Sequence, residues 1–297
     1  MKSTRRGSFS VHRSGKTPSF TTVESLLDCL GRLSPLAVAF SGGVDSSLLA
    51  KAAVLAAEKF GAAPPVAIFA VSPTSSRDDI ENARAVARKI GLELIELDSS
   101  GELGLPAFQA NARDRCYHCK KYRFTAIQKL LAERERAGGP RRTLLDGENA
   151  DDRALSRPGE RAAAELGVRS PLAELGIAKA EVRRMARELG LPVADRPSAP
   201  CLATRFLYGL APTAQLLRRV EAAETFLHAR GFKVCRVRVD SPVTARIEVP
   251  AGEIGRFLAG GVREAVLEEF LGLGFAAVSL DLEGFVSGKM DRAATDK

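Results

Sequence analysis

One heptapeptide constrains this chain more than any other: Ser41-Gly42-Gly43-Val44-Asp45-Ser46-Ser47, set between the apolar run Leu36–Phe40 and the helix-forming stretch Leu48–Val54. The order is strand, tight loop, helix. Two glycines let the backbone turn sharply and approach a ligand that any Cβ would block. The small hydroxyl residues can donate to phosphate oxygens, and the following helix aims its free N–H groups and positive end at them. Asp45 would be repelled by bare phosphate, so its place in the loop implies a bridging Mg²⁺. A tight turn with an acidic helix cap is the plain structural alternative. A Walker-type phosphate loop is excluded, since Gly-x-x-x-x-Gly-Lys-Ser/Thr occurs nowhere and no lysine sits in the loop.

The surrounding sequence alternates strands and helices. After the first strand and helix come a buried run at Val66–Val71, helical spacing from Asp78 to Ile90, and a strand at Leu92–Leu97. A helix from Tyr117 to Arg136 ends at Gly138-Gly139-Pro140, and the strand Thr143–Leu145 feeds Asp146-Gly147-Glu148-Asn149-Ala150-Asp151-Asp152. A further helix runs from about Lys179 to Leu189. This alternation predicts an α/β fold with a parallel sheet covered on both faces. Ligands in such sheets sit at the carboxyl ends of the strands, which places Ser41–Ser47, Ser72 and Gly147–Asp152 on one rim. Past a proline-rich stretch the pattern changes to a helix at about Pro212–Arg230, strands at Val234–Val239 and Thr244–Val249, helices at Gly252–Leu258 and Val262–Leu271, and a strand at Phe275–Leu280. The chain therefore divides into a tail at 1–19, an α/β domain at 20–205 and a smaller α+β domain at 206–297, with the boundary near Phe206 and no internal repeat.

At 297 residues, 45% hydrophobic and 27% charged, the chain has the composition of a soluble globular protein. No apolar run approaches the roughly 20 residues of a membrane-spanning helix. The start, Met1-Lys2-Ser3-Thr4-Arg5-Arg6, is basic and lacks the apolar core of a secretion signal, so the expected location is cytoplasmic. Five cysteines at uneven spacing point to thiol or metal chemistry rather than a disulfide framework. The net charge of +8 suits either a nucleic-acid partner or a surface that binds ATP and an anionic small molecule. The absence of Trp, with only three Tyr and no basic block interleaved with aromatics, favours the second.

Four constellations carry chemistry. Cys116-Tyr117-His118-Cys119, flanked by Arg113, Arg115, Lys120 and Lys121, can turn two sulfurs toward one metal or cluster at the start of a helix. Nearby cations would favour thiolates; two ordinary structural cysteines are the alternative. Cys201 lies in Pro197-Ser198-Ala199-Pro200-Cys201-Leu202-Ala203-Thr204-Arg205, where prolines hold the chain extended and Arg196 and Arg205 are in reach of a thiolate. The acidic run Asp146–Asp152 can complete Mg²⁺ coordination or be a solvated turn. Arg236 and Arg238 share one strand face, where guanidinium groups suit phosphate or carboxylate, or form an edge pair facing solvent. Cys29 and Cys235 sit in apolar patterns and read as core.

The heptapeptide resembles the PP-loop of the ATP pyrophosphatase superfamily, whose members cleave ATP between the α and β phosphates and transfer AMP to an oxygen. Five further motifs narrow the likeness. They are Arg115-Cys116-Tyr117-x-Cys119-Lys120-Lys121, Gly147-x-Asn149-x-Asp151-Asp152, Arg169-Ser170-Pro171-Leu172, Pro197-Ser198-x-x-Cys201-Leu202-Ala203-x-Arg205 and Asp281-Leu282-Glu283-Gly284-Phe285. In this order, over about residues 20 to 290, they resemble the LarE family, the ATP-dependent sulfur transferases of nickel-pincer nucleotide cofactor synthesis. The resemblance implies that Mg-ATP adenylates a pyridinium-3,5-biscarboxylic acid mononucleotide and that sulfur then replaces oxygen to give thiocarboxylates.

On that resemblance Ser41, Gly42, Gly43, Val44, Ser46, Ser47, Ser72 and Gly147 bind ATP, and Asp45 with Asp151 or Asp152 holds Mg²⁺. Arg205, Arg236 and Arg238 bind the carboxylated nucleotide, and Cys201 delivers sulfur. The family's two sulfur routes are a sacrificial cysteine at the position of Cys201 and a [4Fe-4S] cluster on three cysteines. The presence of Cys116, Cys119 and Cys201 together leans toward the cluster. The family also suggests a homo-oligomer assembled through the second domain, with no stable nucleic acid and no membrane as partners. The competing readings are a PP-loop tRNA thiolation enzyme, a nucleotide-sensing module without catalysis, and an ammonia-using ligase, in which the cysteines would be idle.

Overall fold

The structure, a computed structural model, describes residues 22–154, 158–286 and 288–292; the tail predicted at 1–19 lies outside them. The α/β fold predicted for the first two thirds is present. Helix α1 (Val23–Leu33) leads into strand β1 (Leu36–Ala39), the loop, and α2 (Val44–Phe60). Strand β2 (Val66–Val71), α3 (Arg77–Ile90) and β3 (Glu93–Asp98) follow. After α4 (Pro106–Gln109) and α5 (Arg115–Arg136) the chain returns to β4 (Thr143–Leu145). The strands form one parallel sheet in the order β3-β2-β1-β4, with Ala37 opposite both Val66 and Leu144. The chain runs outward from β1 through β2 to β3, then crosses back to the other side of β1. The switch point therefore lies between β1 and β4, where such sheets open a crevice at their carboxyl ends.

Burial explains the layers. Strands β1 and β2 are almost uninterrupted apolar runs, as a strand covered on both faces requires. One face is closed by α1, α2 and α9 (Lys179–Glu188) through Leu26, Leu30, Leu48, Val182 and Met185. The other is closed by α5 and α7 (Pro158–Glu165) through Phe124, Ile127 and Ala163. The short helices α6 (Ala150–Ala154) and α8 (Pro171–Glu174) carry the chain around the β4 rim.

The last third builds a separate small core. Helix α10 (Ala214–Ala229), the antiparallel pair β5 (Arg236–Ser241) and β6 (Thr244–Glu248), helix α11 (Val262–Gly272) and strand β7 (Ala277–Leu280), parallel to β6, enclose Phe232, Ile247, Phe270 and Phe275. The segment 252–258, predicted as an α-helix, is a 3₁₀ turn over Ala251–Leu258. The two units meet in a joint of Phe108, Leu202, Phe206, Leu217, Val220 and Val239, so Phe206 lies in a core shared by both. Among the described residues no helix is long and apolar enough to cross a membrane.

Candidate functional site

The loop after β1 holds its shape by its own hydrogen bonds. Gly42 adopts a left-handed φ of +72°, and a Cβ there would lie 2.7 Å from the Ala83 Cα, so only glycine fits. The Ser46 hydroxyl accepts from the Ser41 N–H at 3.2 Å and donates to the Gly43 carbonyl at 3.2 Å. The Asn82 amide donates to the Gly42 carbonyl at 2.8 Å, tying the loop to α3. Gly43 caps α2 without a side-chain bond, leaving the first helical N–H groups for a ligand.

The loop after β4 packs directly against this one. A Cβ on Gly147 would lie 2.9 Å from the Ser46 amide nitrogen, so two backbones touch where only glycine allows it. Asn149 follows, and its side-chain amide donates to both Asp45 Oδ1 (3.0 Å) and Asp152 Oδ2 (2.7 Å). The Lys179 ammonium pairs with the other oxygen of Asp45. Asp151 is engaged elsewhere, its carboxylate accepting from the Lys179 backbone N–H at 2.9 Å. Two carboxylates beside a phosphate cradle are the donor set Mg²⁺ uses, because it takes one or two carboxylates and completes its shell with phosphate oxygens and water. No group of three or more His, Cys, Asp or Glu among the described residues is arranged to hold a metal ion.

Two cavities open from the loop. One, of about 250 Å³, is bounded by Gly42, Gly43, Asn82, Lys179, Arg183 and Arg196. The other, of about 450 Å³, is bounded on one side by apolar Ala39, Ile68, Phe124 and Ile127 and on another by Cys116 and Cys119. They share six residues: Ser41, Asp45, Phe69, Thr74, Arg123 and Cys201. The three cysteines from a helix and a distant loop thus border one space, and Cys201 sits at its junction with the basic cavity.

That junction is held from both sides. The Leu202 N–H donates to the Thr74 carbonyl at 2.9 Å, anchoring the Cys201 segment to the sheet rim. Arg205 donates to the Pro200 carbonyl at 2.7 Å while its guanidinium forms a buried fork with Glu224 at 2.9 Å. Arg238 donates to the Thr204 carbonyl at 3.0 Å and pairs with the buried Glu248. Both arginines, predicted to meet substrate, are engaged in bracing the thiol segment against the second unit. Arg236 and Arg205 also line a groove of about 920 Å³ between α3 and α10, on the far side of that segment.

Beneath the thiols lies a buried network. Glu102, fully buried, accepts from Arg123 at 2.7 Å, from Ser72 at 2.6 Å and from the Cys119 thiol at 3.3 Å. Burial would push its carboxyl up, but the Arg123 guanidinium and the hydroxyls hold it below the usual range. The Cys119 thiol is pushed far above its ordinary value, chiefly by burial and further by Glu102, which keeps it protonated. Cys116, Cys119 and Cys201 border one cavity together with Arg115, Lys120 and Arg123, but among the described residues the three sulfurs are not gathered into a metal-holding group.

Ser72, expected at the nucleotide, donates its hydroxyl to Glu102, as does Thr74, which borders both cavities. Ser47, read as part of the cradle, is fully buried, and its hydroxyl is unpartnered among the described residues. Cys29 and Cys235 are buried, as read. Lys179, Arg123, Asn82, Arg183 and Arg196 were not anticipated as ligand-facing. Two signals were available. Lys179 opens a helix at its positive end, a place that disfavours a cation. Arg123 follows Cys116 and Cys119 at helical spacing, on their face.

The asparagine synthase family model matches residues 22–188. An uncharacterized protein of Synechocystis is 42% identical over 275 residues, spanning 92% of this chain and 98% of its own. The pyridinium-3,5-bisthiocarboxylic acid mononucleotide synthase of Lactiplantibacillus plantarum is 33% identical over 275 residues, spanning 93% and 95%. An uncharacterized protein of Methanocaldococcus jannaschii is 31% identical over 248 residues, spanning 83% and 88%.

Proposed function

Because this chain belongs to the LarE family of ATP-dependent sulfur transferases, within the PP-loop ATP pyrophosphatases, we propose that it converts the carboxylates of pyridinium-3,5-biscarboxylic acid mononucleotide to thiocarboxylates. The observation that carries this reading is the position of Cys201 at the junction of the basic cavity and the thiol-lined cavity.

The substrate carboxylate attacks the α-phosphorus of ATP, the bond to the bridging oxygen breaks, and pyrophosphate leaves. The free N–H groups at the start of α2, with Lys179, Arg183 and Arg196, take up the charge that develops on the departing group. Asp45 and Asp152 would hold Mg²⁺, which supplies charge neutralisation on the phosphates. Lys179 must then leave Asp45, and the phosphate chain is its natural new partner. The acyl-adenylate is the electrophile: a sulfur nucleophile adds at its carbon, and AMP leaves with the oxygen.

For the sulfur, the convergence of three cysteines supports the cluster route. Cys116, Cys119 and Cys201 would hold a [4Fe-4S] group, whose open iron supplies a site for the transferable sulfide. In the sacrificial route Cys201 itself adds to the acyl carbon. Loss of its α-proton then cleaves Cβ–S, releasing the thiocarboxylate and leaving dehydroalanine. The domain division at Phe206 and assembly of like subunits through the second unit, where Leu258, Leu271 and Leu282 are exposed, belong to the same reading.

Incubating anaerobically reconstituted protein with ATP, Mg²⁺ and the biscarboxylate tests all of this by mass spectrometry of products and protein. Pyrophosphate, thiocarboxylate, repeated turnover and intact Cys201 are expected, with iron and acid-labile sulfide present. A single turnover with Cys201 34 Da lighter, the loss of H₂S, assigns the sacrificial route. No thiocarboxylate under either condition refutes the proposal.

A further inference from the structure

Glu148 is the one acidic side chain in the larger cavity that the described structure leaves without a partner. It is 8% exposed, and neither carboxylate oxygen has a hydrogen-bond partner among the described residues. Its neighbours are already committed. Asp146 accepts from Lys120 at 3.0 Å and from the Ser170 hydroxyl at 2.6 Å, and Glu160 pairs with Arg153 at 3.6 Å. Burial first, and Asp146 second, push the Glu148 carboxyl above its usual range. A buried carboxylate facing a cavity with nothing to bind is costly, and a ligand that brings hydrogen-bond donors removes the cost.

The cavity indicates which donors. Its apolar wall of Ala39, Ile68, Phe124 and Ile127 suits a flat base, while the basic cavity beyond the junction suits phosphates. What lies between base and phosphates in a nucleotide is the sugar. Glu148 follows Gly147, which touches the Ser46 backbone, so it stands beside the phosphate loop rather than at the far apolar end. Two orphan acceptor oxygens match the two hydroxyl donors of a vicinal diol, a pairing that carboxylates make in other nucleotide sites.

We propose that Glu148 recognises the ribose of ATP, its two oxygens accepting from the 2′- and 3′-hydroxyls. This deepens the functional reading above and rests on it for the identity of the nucleotide. The test is calorimetric affinity of wild type, Glu148→Gln and Glu148→Ala for Mg-ATP, its 2′-deoxy and 3′-deoxy analogues, and inosine triphosphate. Wild type is expected to bind each deoxy analogue about 10-fold more weakly than ATP, as loss of a hydrogen bond to a charged acceptor implies. Glu148→Ala should bind ATP as weakly as it binds the deoxy forms, and should weaken inosine triphosphate, which carries the same ribose, by the same factor as ATP. Equal wild-type affinity for ATP and both deoxy analogues overturns the proposal without need of any variant. So does a preference against the deoxy forms that survives in Glu148→Ala. Discrimination confined to inosine triphosphate moves the contact to the base and equally overturns it. Failure of wild type to bind ATP at all would instead count against the functional reading itself.

Discussion

The phosphate loop and the Cys201 segment face one another across a few residues, yet they are built in opposite ways. The loop is local: Ser41, Gly43 and Ser46 satisfy one another, and a strand and a helix adjoining in sequence fix its two ends. The thiol segment is held from a distance, by Thr74 on one side and by Arg205 and Arg238, tied to Glu224 and Glu248, on the other. The difference teaches that the phosphate loop takes its shape within one unit, whereas the Cys201 segment is placed by both.

Substitutions can break that comparison or sharpen it. Cys201→Ser should lower thiocarboxylate formation by at least about 10³-fold while pyrophosphate release persists, because under either sulfur route it removes the sulfur supply and leaves the phosphate loop intact. A fall in both would mean that the halves are not separable. Arg205→Ala should cost about 3–5 kcal/mol by leaving Glu224 buried and uncompensated, and denaturant titration should place that loss in the second unit. Asp45→Asn should slow pyrophosphate release about 10²-fold, read by a phosphate-coupled assay, with the melting temperature little changed. Gly42→Ala should destabilise by about 2 kcal/mol through its left-handed backbone and the Ala83 contact, read as a lower melting temperature.

The smallest effect concerns reactivity. In the metal-free protein at pH 8, an alkylating reagent should modify Cys116, raised by burial but on an exposed residue, before Cys119, which is raised further. The raised Cys119 thiol should react only as pH climbs further, because thiolate is the reactive form. Peptide mapping reads the order, and early labelling of Cys119 would remove Glu102 and burial as its restraint.

The same contrast explains what was legible beforehand. The loop, the CxxC and the β4 run could be read because each is a short stretch whose chemistry and geometry are set by adjacent residues. Helix boundaries at Lys179 and Arg136 were legible for the same reason. Glu102 was not, since it lies in a 3₁₀ turn of no distinctive pattern and takes its meaning from Arg123, Ser72 and Cys119. The bond from the Ser72 hydroxyl to Glu102 was not legible either, because that partner lies 30 positions away. Period-two spacing correctly gave Arg236 and Arg238 a common strand, but it carries no information on whether a carboxylate waits across the sheet, as Glu248 does for Arg238.

A segment moored at one end to the sheet rim through Leu202 and Thr74, and at the other to the small unit through Arg205 and Arg238, behaves as a tie-rod. Tilting one unit against the other must either drag the sulfur along or snap one of those moorings. The position of the Cys201 sulfur is therefore set jointly by the sheet rim and the small unit.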